Sequence, residues 1–258
     1  MRTNPLKTAL RANQPNYGAW LSIPSLETAR AAARLGFDWL LVDCEHTAQN
    51  PVLMAQMVGA IGDSGDSVPL VRVPSKRAEE WFKWALDSGA WGVIVPYVNT
   101  PEEARQAVDW CKYPPQGRRS HGGYFASRSF GASPTEYFHA ANDQVVVVVQ
   151  IETVQALENL EAIAAVPGLD ALFVGPNDLH LSMGFPPSSE GEEPEFVAAL
   201  ERVKAAARAN GLGVGIYTSG GKAAARRAAE GFGMVVAASD LGVMAHGLQT
   251  GLNAAKGV

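Results

Sequence analysis

The amino-acid sequence predicts an α/β fold, a (β/α)8 TIM barrel that forms a single domain over residues 1–258. Eight short apolar runs alternate with helical patterns, and such runs are typical of parallel strands that are covered on both faces. Strict alternation favours a closed barrel. The competing doubly wound sheet would usually carry a glycine-rich turn after its first strand, where Ile23-Pro24-Ser25 stands instead. The predicted strands span residues 17–23, 38–44, 68–74, 92–98, 144–151, 171–175, 212–217 and 234–238.

The helices between these strands are predicted from their periodicity and their end signals. Phe196, Leu200, Val203 and Ala207 recur at i, i+4, i+7 and i+11, which places them on one face of a helix. Residues 100–103 read Thr-Pro-Glu-Glu and predict a capping box with proline at the first helical position. Four glycines each stop a helix shortly before the next strand, namely Gly36, Gly89, Gly211 and Gly231.

Composition and charge exclude several classes of partner. A formal net charge of -5 and a pI near 5.6 argue against nucleic-acid binding, which needs a basic face. No apolar stretch reaches membrane-spanning length, so no membrane partner is expected. The N-terminal segment lacks the apolar core of a signal peptide. Cys44 and Cys111 are too few for a disulfide framework, so we expect a cytoplasmic protein with reduced thiols.

Two long loops interrupt the regular alternation. Residues 113–138 are rich in Gly, Ser, Arg and aromatic side chains and precede the fifth strand. Residues 182–194 are rich in Gly, Pro, Ser and Glu and follow the sixth strand. Long loops in a compact barrel are more often functional than idle, so both are expected at or beside the catalytic face.

Two carboxylates follow consecutive apolar strands, Glu152 after the fifth and Asp178 after the sixth. A buried carboxylate is costly unless a positive charge meets it, and the carboxyl ends of parallel strands share one edge. The pair therefore predicts an oxygen-rich site for a magnesium- or manganese-type ion. The alternative is that each acid caps the following helix, where the helix N-terminus favours an acid by about 0.3–1 kcal/mol.

Other strands add polar groups to the same edge. Arg72 in the third strand is expected to meet a substrate carboxylate or oxyanion, the alternative being a structural ion pair with Asp43 or Glu45. His46 after the second strand is a candidate general base tuned by one of these two acids, and a structural histidine is its alternative. Further polar residues at strand ends are Gln150, Asn177, Thr218, Ser219, Ser239 and Asp240.

Two other catalytic classes lack their signals. A Gly-x-Ser-x-Gly elbow is missing from the sequence, which argues against a serine hydrolase. No lysine lies within a predicted strand core, which argues against an aldolase that works through a lysine Schiff base. The glycines after and within the seventh strand fit either a phosphate site or close packing, and both interpretations stay open for Gly213, Gly215, Gly220 and Gly221.

Four segments together resemble one known family. Residues 38–46, Val71-Arg72-Val73, residues 150–153 and residues 173–179 are similar, in order and spacing, to signatures of the metal-dependent 2-oxo acid aldolases of the HpcH/HpaI family. Residues 113–119 resemble the loop that precedes the fifth strand of that family. The similarity runs over nearly the whole chain.

The resemblance implies reversible cleavage of 4-hydroxy-2-oxo acids to pyruvate and an aldehyde. Glu152 and Asp178 would hold a divalent ion (Mg²⁺, Mn²⁺ or Co²⁺) to which pyruvate binds. Arg72 would stabilise the enolate charge at the keto oxygen, and His46, oriented by Asp43, would move the proton at the aldehyde oxygen. Roles in substrate binding are implied for Gln150, Gly175, Asn177 and Asp178.

The resemblance also implies a homo-hexamer, a trimer of dimers, with the apolar residues 241–248 at a subunit contact. Packing of this segment on its own barrel is the alternative. Cys44, His180 and the aromatic loop 120–128 depart from the family's usual pattern, and the loop resembles somewhat more the fungal members, such as macrophomate synthase. The alternatives are therefore oxaloacetate decarboxylation or a macrophomate-synthase-like coupling through the same enolate chemistry, and a non-catalytic barrel.

Overall fold

The structure, a computed structural model, describes residues 1–65 and 67–257. Eight parallel strands pair in chain order, and the last pairs with the first, so the sheet closes into a barrel. The predicted (β/α)8 TIM barrel is therefore confirmed. The strands are β1 (Asn16–Leu21), β2 (Trp39–Asp43), β3 (Val68–Arg72), β4 (Gly92–Val95), β5 (Val146–Ile151), β6 (Ala171–Val174), β7 (Gly213–Ile216) and β8 (Met234–Ser239).

Helices follow the strands and surround the barrel, with one more helix before β1. The connection from β4 to β5 carries three helices, and those from β5 to β6 and from β6 to β7 carry two each. Within the described residues the helices are α1 (Pro5–Arg11), α2 (Leu26–Ala32), α3 (Pro51–Ser64), α4 (Glu79–Asp87), α5 (Pro101–Cys111), α6 (Tyr124–Ser129), α7 (Pro134–Gln144), α8 (Val154–Glu158), α9 (Leu160–Ala164), α10 (Pro176–Ser182), α11 (Pro194–Ala209), α12 (Gly221–Ala229) and α13 (Asp240–Lys256).

The end signals of the helices are confirmed with one exception. All four predicted stop glycines adopt positive φ angles between 67° and 100°, a region that glycine enters without steric cost. At α5, Thr100 accepts a hydrogen bond from the backbone N–H of Glu103, as predicted. The return bond of a capping box is absent, because the Glu103 carboxylate accepts from the N–H of Asn99 and pairs with Lys76.

Most strands end earlier than the sequence predicts. The fourth strand was expected to reach residue 98, but β4 ends at Val95. Pro96 has no N–H with which to continue the ladder, and Tyr97 turns the backbone to a positive φ of 54°. The early ending turns the backbone of residues 96–98 toward the ends of the neighbouring strands.

The barrel interior is filled from the N-terminal ends of the strands. Leu6 and Leu10 of α1 are 2% exposed and belong to the same buried cluster as the inward-facing residues of the strands. Gly213 lies against Leu10, since a Cβ at this glycine would be 2.5 Å from the leucine Cδ2. The helix α1 therefore closes the floor of the barrel, and the carboxyl ends of the strands form its open mouth.

The loop of residues 113–138 lies at the floor rather than at the mouth. Its Phe130 ring stacks on Trp91, which precedes β4, at a centroid distance of 4.2 Å. Its Arg119 pairs at 2.9 Å with Asp87, the last residue of α4. The expectation that this loop borders the catalytic face is therefore wrong. The helix before it runs from the mouth to the floor, so the segment that leads into β5 starts from the floor.

The last helix, α13, extends from the barrel without burying its own side chains. Among its described residues none is buried. Its large apolar side chains are 45–68% exposed, namely Leu241, Val243, Met244, Leu248 and Leu252. Packing of this helix on its own barrel, the alternative considered for the sequence, is therefore wrong. Within residues 1–65 and 67–257, no helix is both long and apolar enough to cross a membrane.

Candidate active site

A cavity of about 220 Å³ opens at the mouth of the barrel. It is lined by all eight residues that were predicted for the site, namely Asp43, His46, Arg72, Gln150, Glu152, Gly175, Asn177 and Asp178. The remaining lining residues are Trp20, Ser22, Pro176 and Tyr217. The closed barrel thus brings side chains from the ends of β2, β3, β5 and β6 into one space.

A larger cleft lies on the outer surface of the barrel. It has a volume of about 700 Å³, and its walls come from α3, α4 and α6 together with Ser88. Its lining is mainly apolar and includes no strand end. Catalytic groups in barrels converge at the carboxyl ends of the strands, so we assign the chemistry to the smaller cavity.

Arg72 is held in place by two acids and an aromatic ring. It stands opposite Asp43 in the β2–β3 register, and its Nε and Nη2 each donate to one oxygen of that carboxylate at 2.8 Å. Its Nη1 lies 2.7 Å from Glu45 Oε2, and its Cζ lies 4.7 Å from the Trp20 ring centroid. The ion pairs considered as an alternative are therefore present, and they orient the guanidinium group in the cavity wall.

Arg72 affects the two acids differently. Burial would raise the pKa of Asp43, but the hydrogen bonds and the charge of Arg72 outweigh it and hold this pKa below its usual value. Burial also raises the pKa of Glu45, and there the charge of Arg72 does not fully compensate. Asp43 is thus an ionised partner of the arginine, whereas Glu45 takes up a proton more readily.

His46 lies at the rim of the cavity beside Glu45, one of the two acids that the sequence offered as its partner. Its side chain is 64% exposed, and its Nε2 lies 3.8 Å from Glu45 Oε2. Both oxygens of Asp43 accept from Arg72, and one also accepts from the N–H of Glu45. The orientation of His46 by Asp43 that the resemblance implies stays a prediction, whereas Glu45, the other acid considered, lies beside the histidine. The bidentate fork of the arginine occupies the carboxylate that the histidine was expected to use.

Glu152 and Asp178 meet at the ends of β5 and β6. Glu152 is 1% exposed, and its two oxygens accept from the backbone N–H of Tyr97 at 2.7 Å and from Gln150 Nε2 at 2.8 Å. Asp178 Oδ1 accepts from the Tyr97 hydroxyl at 2.9 Å. A Cβ at residue 175 would lie 2.0 Å from Glu152 Oε2, so only glycine leaves room for this carboxylate.

Burial, together with the charges of Glu45 and Asp178, raises the pKa of Glu152 to about 8, although the hydrogen bond from Tyr97 and the charge of Arg72 oppose the shift. Glu152 is not a helix cap, because Thr153 accepts from the first turn of α8. Asp178 does lie in the first turn of α10, where a carboxylate is favourable. The capping alternative therefore fails for Glu152 and stays open for Asp178.

The donor set of the cavity fits a hard divalent cation. Asp43, Glu152 and Asp178 line the cavity together with Arg72, and Glu45 lies 2.7 Å from Arg72 Nη1. Asp43 and Glu45 are paired with the arginine, whereas the nearest partners of Glu152 are neutral donors. Oxygen ligands of this kind suit Mg²⁺ or Mn²⁺. Within the described residues, no group of three or more His, Cys, Asp or Glu side chains has the arrangement of a metal site.

Several polar strand-end residues have structural contacts instead. Thr218 donates to Val236 O at 2.7 Å, and Ser219 bonds to Glu190. Ser239 caps α13. Asp240 accepts from the backbone N–H groups of residues 22 and 23. These residues hold loops together and do not line the cavity.

The glycines of the seventh strand are close-packed. A Cβ at Gly215 would lie 2.5 Å from the Phe173 ring, as one at Gly213 would from Leu10. The space around Gly220 and Gly221, at the start of α12, is open. The packing interpretation is therefore correct for the two glycines within β7.

The loop of residues 182–194 does reach the cavity edge. Ser189 Oγ lies 3.3 Å from Asn177 Oδ1, and Gly191 lies against the buried ring of His180. Glu190 accepts from the N–H of Ser219 at 3.0 Å, which joins the loop to the end of β7. The expectation that this loop lies beside the catalytic face is confirmed.

Sequence reasoning missed Trp20, Ser22, Tyr97 and Tyr217. Trp20 stacks over Arg72 and contacts Tyr217 edge-on at 5.6 Å. Trp20 and Tyr217 follow the rule that strand-end residues face the mouth, so their position was a usable signal. Tyr97 carried no such signal, because its contacts depend on where β4 ends.

The amino-acid sequence matches the HpcH/HpaI aldolase/citrate lyase family over residues 16–247. The chain belongs to this family. It is 43% identical over 211 residues to a 4-hydroxy-2-oxovalerate aldolase of Rhodococcus jostii, with 81% of each protein covered. It is 38% identical over 246 residues to a 4-hydroxy-2-oxo-heptane-1,7-dioate aldolase of Salmonella dublin, covering 95% of this chain and 92% of the relative. The prediction of an aldolase of this family is confirmed.

Solved structures of the HpcH/HpaI family have the same fold. A family member from Burkholderia cenocepacia superposes with a TM-score of 0.89 at 35% identity, covering 98% of this chain and all of the other. Macrophomate synthase superposes with a TM-score of 0.85 at 29% identity, covering 97% of this chain and 89% of the other. The resemblance to macrophomate synthase is therefore confirmed as well.

Proposed function

We propose that this family member is a metal-dependent, class II pyruvate aldolase that reversibly cleaves 4-hydroxy-2-oxo acids to pyruvate and an aldehyde. The observation that carries the proposal is the convergence of Glu152, Asp178, Arg72 and His46 on one cavity at the barrel mouth. An acid pair, an oriented guanidinium group and an exposed imidazole are the groups that this chemistry requires.

Glu152 and Asp178 would hold the divalent cation, Mg²⁺, Mn²⁺ or Co²⁺. When bound, such an ion supplies a Lewis acid that polarises the keto group of the substrate. The excess of carboxylates over cationic groups in the cavity supports this assignment. Substrate contacts are assigned to Gln150, Gly175, Asn177 and Asp178, supported by their positions in the cavity lining.

Arg72 would stabilise the negative charge that develops on the keto oxygen during carbon–carbon cleavage. A guanidinium group has five N–H donors, of which Asp43 and Glu45 take three. The Nη1 group lies 3.5 Å from Gln150 Oε1, which is a weak contact. At least one donor is therefore free for a substrate oxygen, and the ion pairs prevent the side chain from turning away.

His46 would move the proton at the hydroxyl that becomes the aldehyde oxygen. Its exposed position at the rim suits the outer part of a substrate whose pyruvate portion lies deeper, near Arg72 and Glu152. Glu45 is the carboxylate beside it, with Oε2 3.8 Å from the imidazole Nε2. In cleavage, Arg72 would thus stabilise the developing charge deep in the cavity, and His46 would transfer the proton at the rim.

The test is an assay of the purified protein, stripped with chelator, on a panel of 4-hydroxy-2-oxo acids and on oxaloacetate. We expect pyruvate release from hydroxy-oxo acids only after Mg²⁺, Mn²⁺ or Co²⁺ is added. Turnover of oxaloacetate alone would favour the decarboxylase alternative. Full activity in excess chelator would contradict the metal assignment, and no turnover of any substrate would favour the non-catalytic barrel.

We propose a homo-hexamer, a trimer of dimers, with α13 at a subunit contact. The support is the row of exposed apolar side chains on α13, because contiguous exposed apolar surface marks interaction sites. Light scattering is expected to return a mass of about six chains of 27.3 kDa. A mass near that of one chain would contradict the proposal.

We also propose a cytoplasmic location. Cys44 and Cys111 are both free and buried, which is common for proteins of reducing compartments. Fractionation of cells that express the tagged protein would test this, and recovery from a secreted fraction would contradict it.

A further inference from the structure

Tyr97 has a backbone conformation that few aromatic residues adopt. Its φ of 54° lies in the left-handed region, where a bulky side chain is strained and persists only if its surroundings hold it. Such strain is concentrated at functional sites. The residue lies two positions beyond β4, at the mouth of the barrel, and its side chain is partly exposed.

A short chain of contacts holds this strained residue from outside. The Tyr97 carbonyl accepts from Lys76 Nζ at 2.6 Å. Lys76 pairs with Glu103 at 2.6 Å, and Glu103 also accepts from the N–H of Asn99 at 2.7 Å. The loop after β4 is thus fixed at the Tyr97 carbonyl and at the N–H of Asn99.

The left-handed backbone lets one residue reach both acids of the cavity. The N–H of Tyr97 donates to Glu152 Oε1 at 2.7 Å, while its hydroxyl donates to Asp178 Oδ1 at 2.9 Å. The two acids come from different strands, and in the described residues Tyr97 is the residue with hydrogen bonds to both side chains. A carboxylate offers about four lone-pair positions, so both acids keep positions for a cation, although Glu152 also accepts from Gln150.

We propose that Tyr97 is a positioning residue that sets the affinity of the site for a divalent cation, by holding the carboxylates of Glu152 and Asp178 in one fixed geometry. The inference rests on the proposed function, because it assumes that these two acids are the cation ligands. Groups that hydrogen-bond to ligand side chains typically change metal affinity by about 10–100-fold when they are removed. Tyr97 bonds to Asp178 through its phenol hydroxyl and to Glu152 through its backbone N–H.

The test compares Tyr97→Phe with the wild-type chain by titrating the metal-free protein with Mn²⁺ and following free Mn²⁺ by electron paramagnetic resonance. The variant keeps the backbone N–H and loses only the phenol oxygen. We expect its Kd for Mn²⁺ to rise about 10-fold or more. At saturating Mn²⁺ its kcat should return close to the wild-type value, since the phenol acts on ligand geometry.

Two controls make the result specific. Tyr124→Phe removes the same atom from an exposed tyrosine of α6 at the floor and should leave the Kd unchanged. Glu152→Gln removes a ligand and should abolish binding. If Tyr97→Phe is poorly folded by thermal unfolding, Tyr97→Asn takes its place, because asparagine tolerates the left-handed backbone, and it should weaken binding to a similar extent.

A wild-type Kd in a well-folded Tyr97→Phe or Tyr97→Asn variant, or tighter binding, would overturn the inference and leave the proposed function intact. Failure of the wild-type chain to bind Mn²⁺, or binding that survives in Glu152→Gln, would overturn the metal assignment and the inference with it. Weaker binding together with an equal loss of kcat at saturating Mn²⁺ would mean that Tyr97 does more than position ligands, and would overturn the positioning role.

Discussion

The barrel buries charged clusters at both of its ends, and the two clusters are built differently. At the floor, the side chains of Lys7 and Asp170 are 7% and 8% exposed, and Lys112 as a whole residue is 2% exposed. At the mouth, Arg72 is surrounded by four acids that line or border the cavity, with Glu152 only 1% exposed. Burying charge is costly at either end, so each cluster needs compensation.

At the floor the chain itself supplies that compensation. Lys7 Nζ pairs with Asp170 at 2.9 Å and donates to Val145 O at 3.0 Å. Lys112 Nζ donates to Asn142 O and Val145 O, both at 2.7 Å. These carbonyls lie at the C-terminal end of α7, where the helix dipole favours a positive charge. The floor cluster therefore needs no ligand and serves stability.

At the mouth the described residues supply no positively charged hydrogen-bond partner for Glu152. Arg72 satisfies Asp43 and lies against Glu45, but Glu152 has only the neutral donors Tyr97 and Gln150. A buried charge cluster that its own chain does not balance marks a place where a ligand of opposite charge binds. The difference between the two ends thus separates a structural network from a candidate catalytic one.

The strongest test of the difference between mouth and floor is to replace one acid at each end by its neutral amide. Glu152→Gln should lower kcat/KM for cleavage by more than about 10⁴-fold, because a bound cation lowers the activation barrier by several kcal/mol. Its fold should survive, since burial already favours the neutral form of Glu152. Steady-state kinetics with added Mn²⁺ and thermal unfolding measure the two effects.

The matched floor variant is Asp170→Asn, which removes the partner of Lys7. It should lower the free energy of unfolding by about 3–5 kcal/mol, the usual cost of leaving a buried charge unpaired. The kcat of the folded fraction should stay near the wild-type value. Equal losses of activity in both variants would show that the two ends are not functionally distinct.

A second prediction divides the mouth itself into a rim and a deep part. His46→Ala should slow cleavage of hydroxy-oxo acids by about 10²–10⁴-fold, the usual contribution of a positioned acid–base group. Decarboxylation of oxaloacetate forms no aldehyde and needs no proton transfer at that oxygen, so its rate should fall far less in this variant. The ratio of the two rates is the measurement, with His121→Ala as an exposed control in the floor loop. An unchanged ratio would contradict the rim assignment.

The third prediction compares two buried arginines. Arg72→Lys should lower kcat by about 10²–10³-fold with little change in thermal unfolding, because an ammonium cannot hold Asp43 and Glu45 and still face the substrate. Arg119→Lys, at the floor, loses bonds to Asp87 and Tyr137 and should lower stability with little effect on kcat. Exchange of pyruvate methyl protons is the direct assay, and a wild-type exchange rate in Arg72→Lys would contradict the proposed role.

The smallest expected effect is the pH dependence of floor stability. Burial lowers the pKa of Lys112 to about 8, although Asp170 opposes the shift. The folded chain therefore releases this proton before the unfolded chain does, whose lysine titrates near 10.5. The unfolded state binds more protons in that window, so the contribution of Lys112 to stability rises with pH by at most about 1.4 kcal/mol per unit.

Lys112→Met should remove this contribution. Denaturant unfolding of both proteins at pH 7.5 and pH 9.5 gives the double difference, in which groups common to both cancel. We expect the wild-type chain to gain stability relative to Lys112→Met as the pH rises. A relative loss, or parallel curves, would show that the Lys112 amine is not held in an unfavourable charged state.

The barrel and most of its site were predictable because their signals are local. Short apolar runs indicate strands that are covered on both faces, and Glu152 and Asp178 closely follow such runs. Strand ends in a closed parallel barrel face one space, so the eight predicted residues had to converge once the barrel was recognised. Periodicity and position along the chain were sufficient for these statements.

The pairing within the site depended on register and on where each strand stops. Asp43 and Arg72 are partners because β2 and β3 align them, which left Glu45 as the acid next to His46. Tyr97 reaches Glu152 and Asp178 because β4 ends at Val95 and the backbone turns to a positive φ. The register of β2 and β3 leaves no trace in composition or spacing, whereas Pro96, which cannot continue the ladder, was a local signal for the end of β4.

By itself, the sequence determined the closed barrel, the residues at its mouth and the family, because each depends on apolar periodicity or on short motifs that neighbouring residues carry. Only the tertiary structure decided that residues 113–138 lie at the floor, that α13 stands away from the barrel and that Tyr97 bridges two acids. These features follow from contacts between residues far apart in the chain, whose side chains meet only after the sheet has closed.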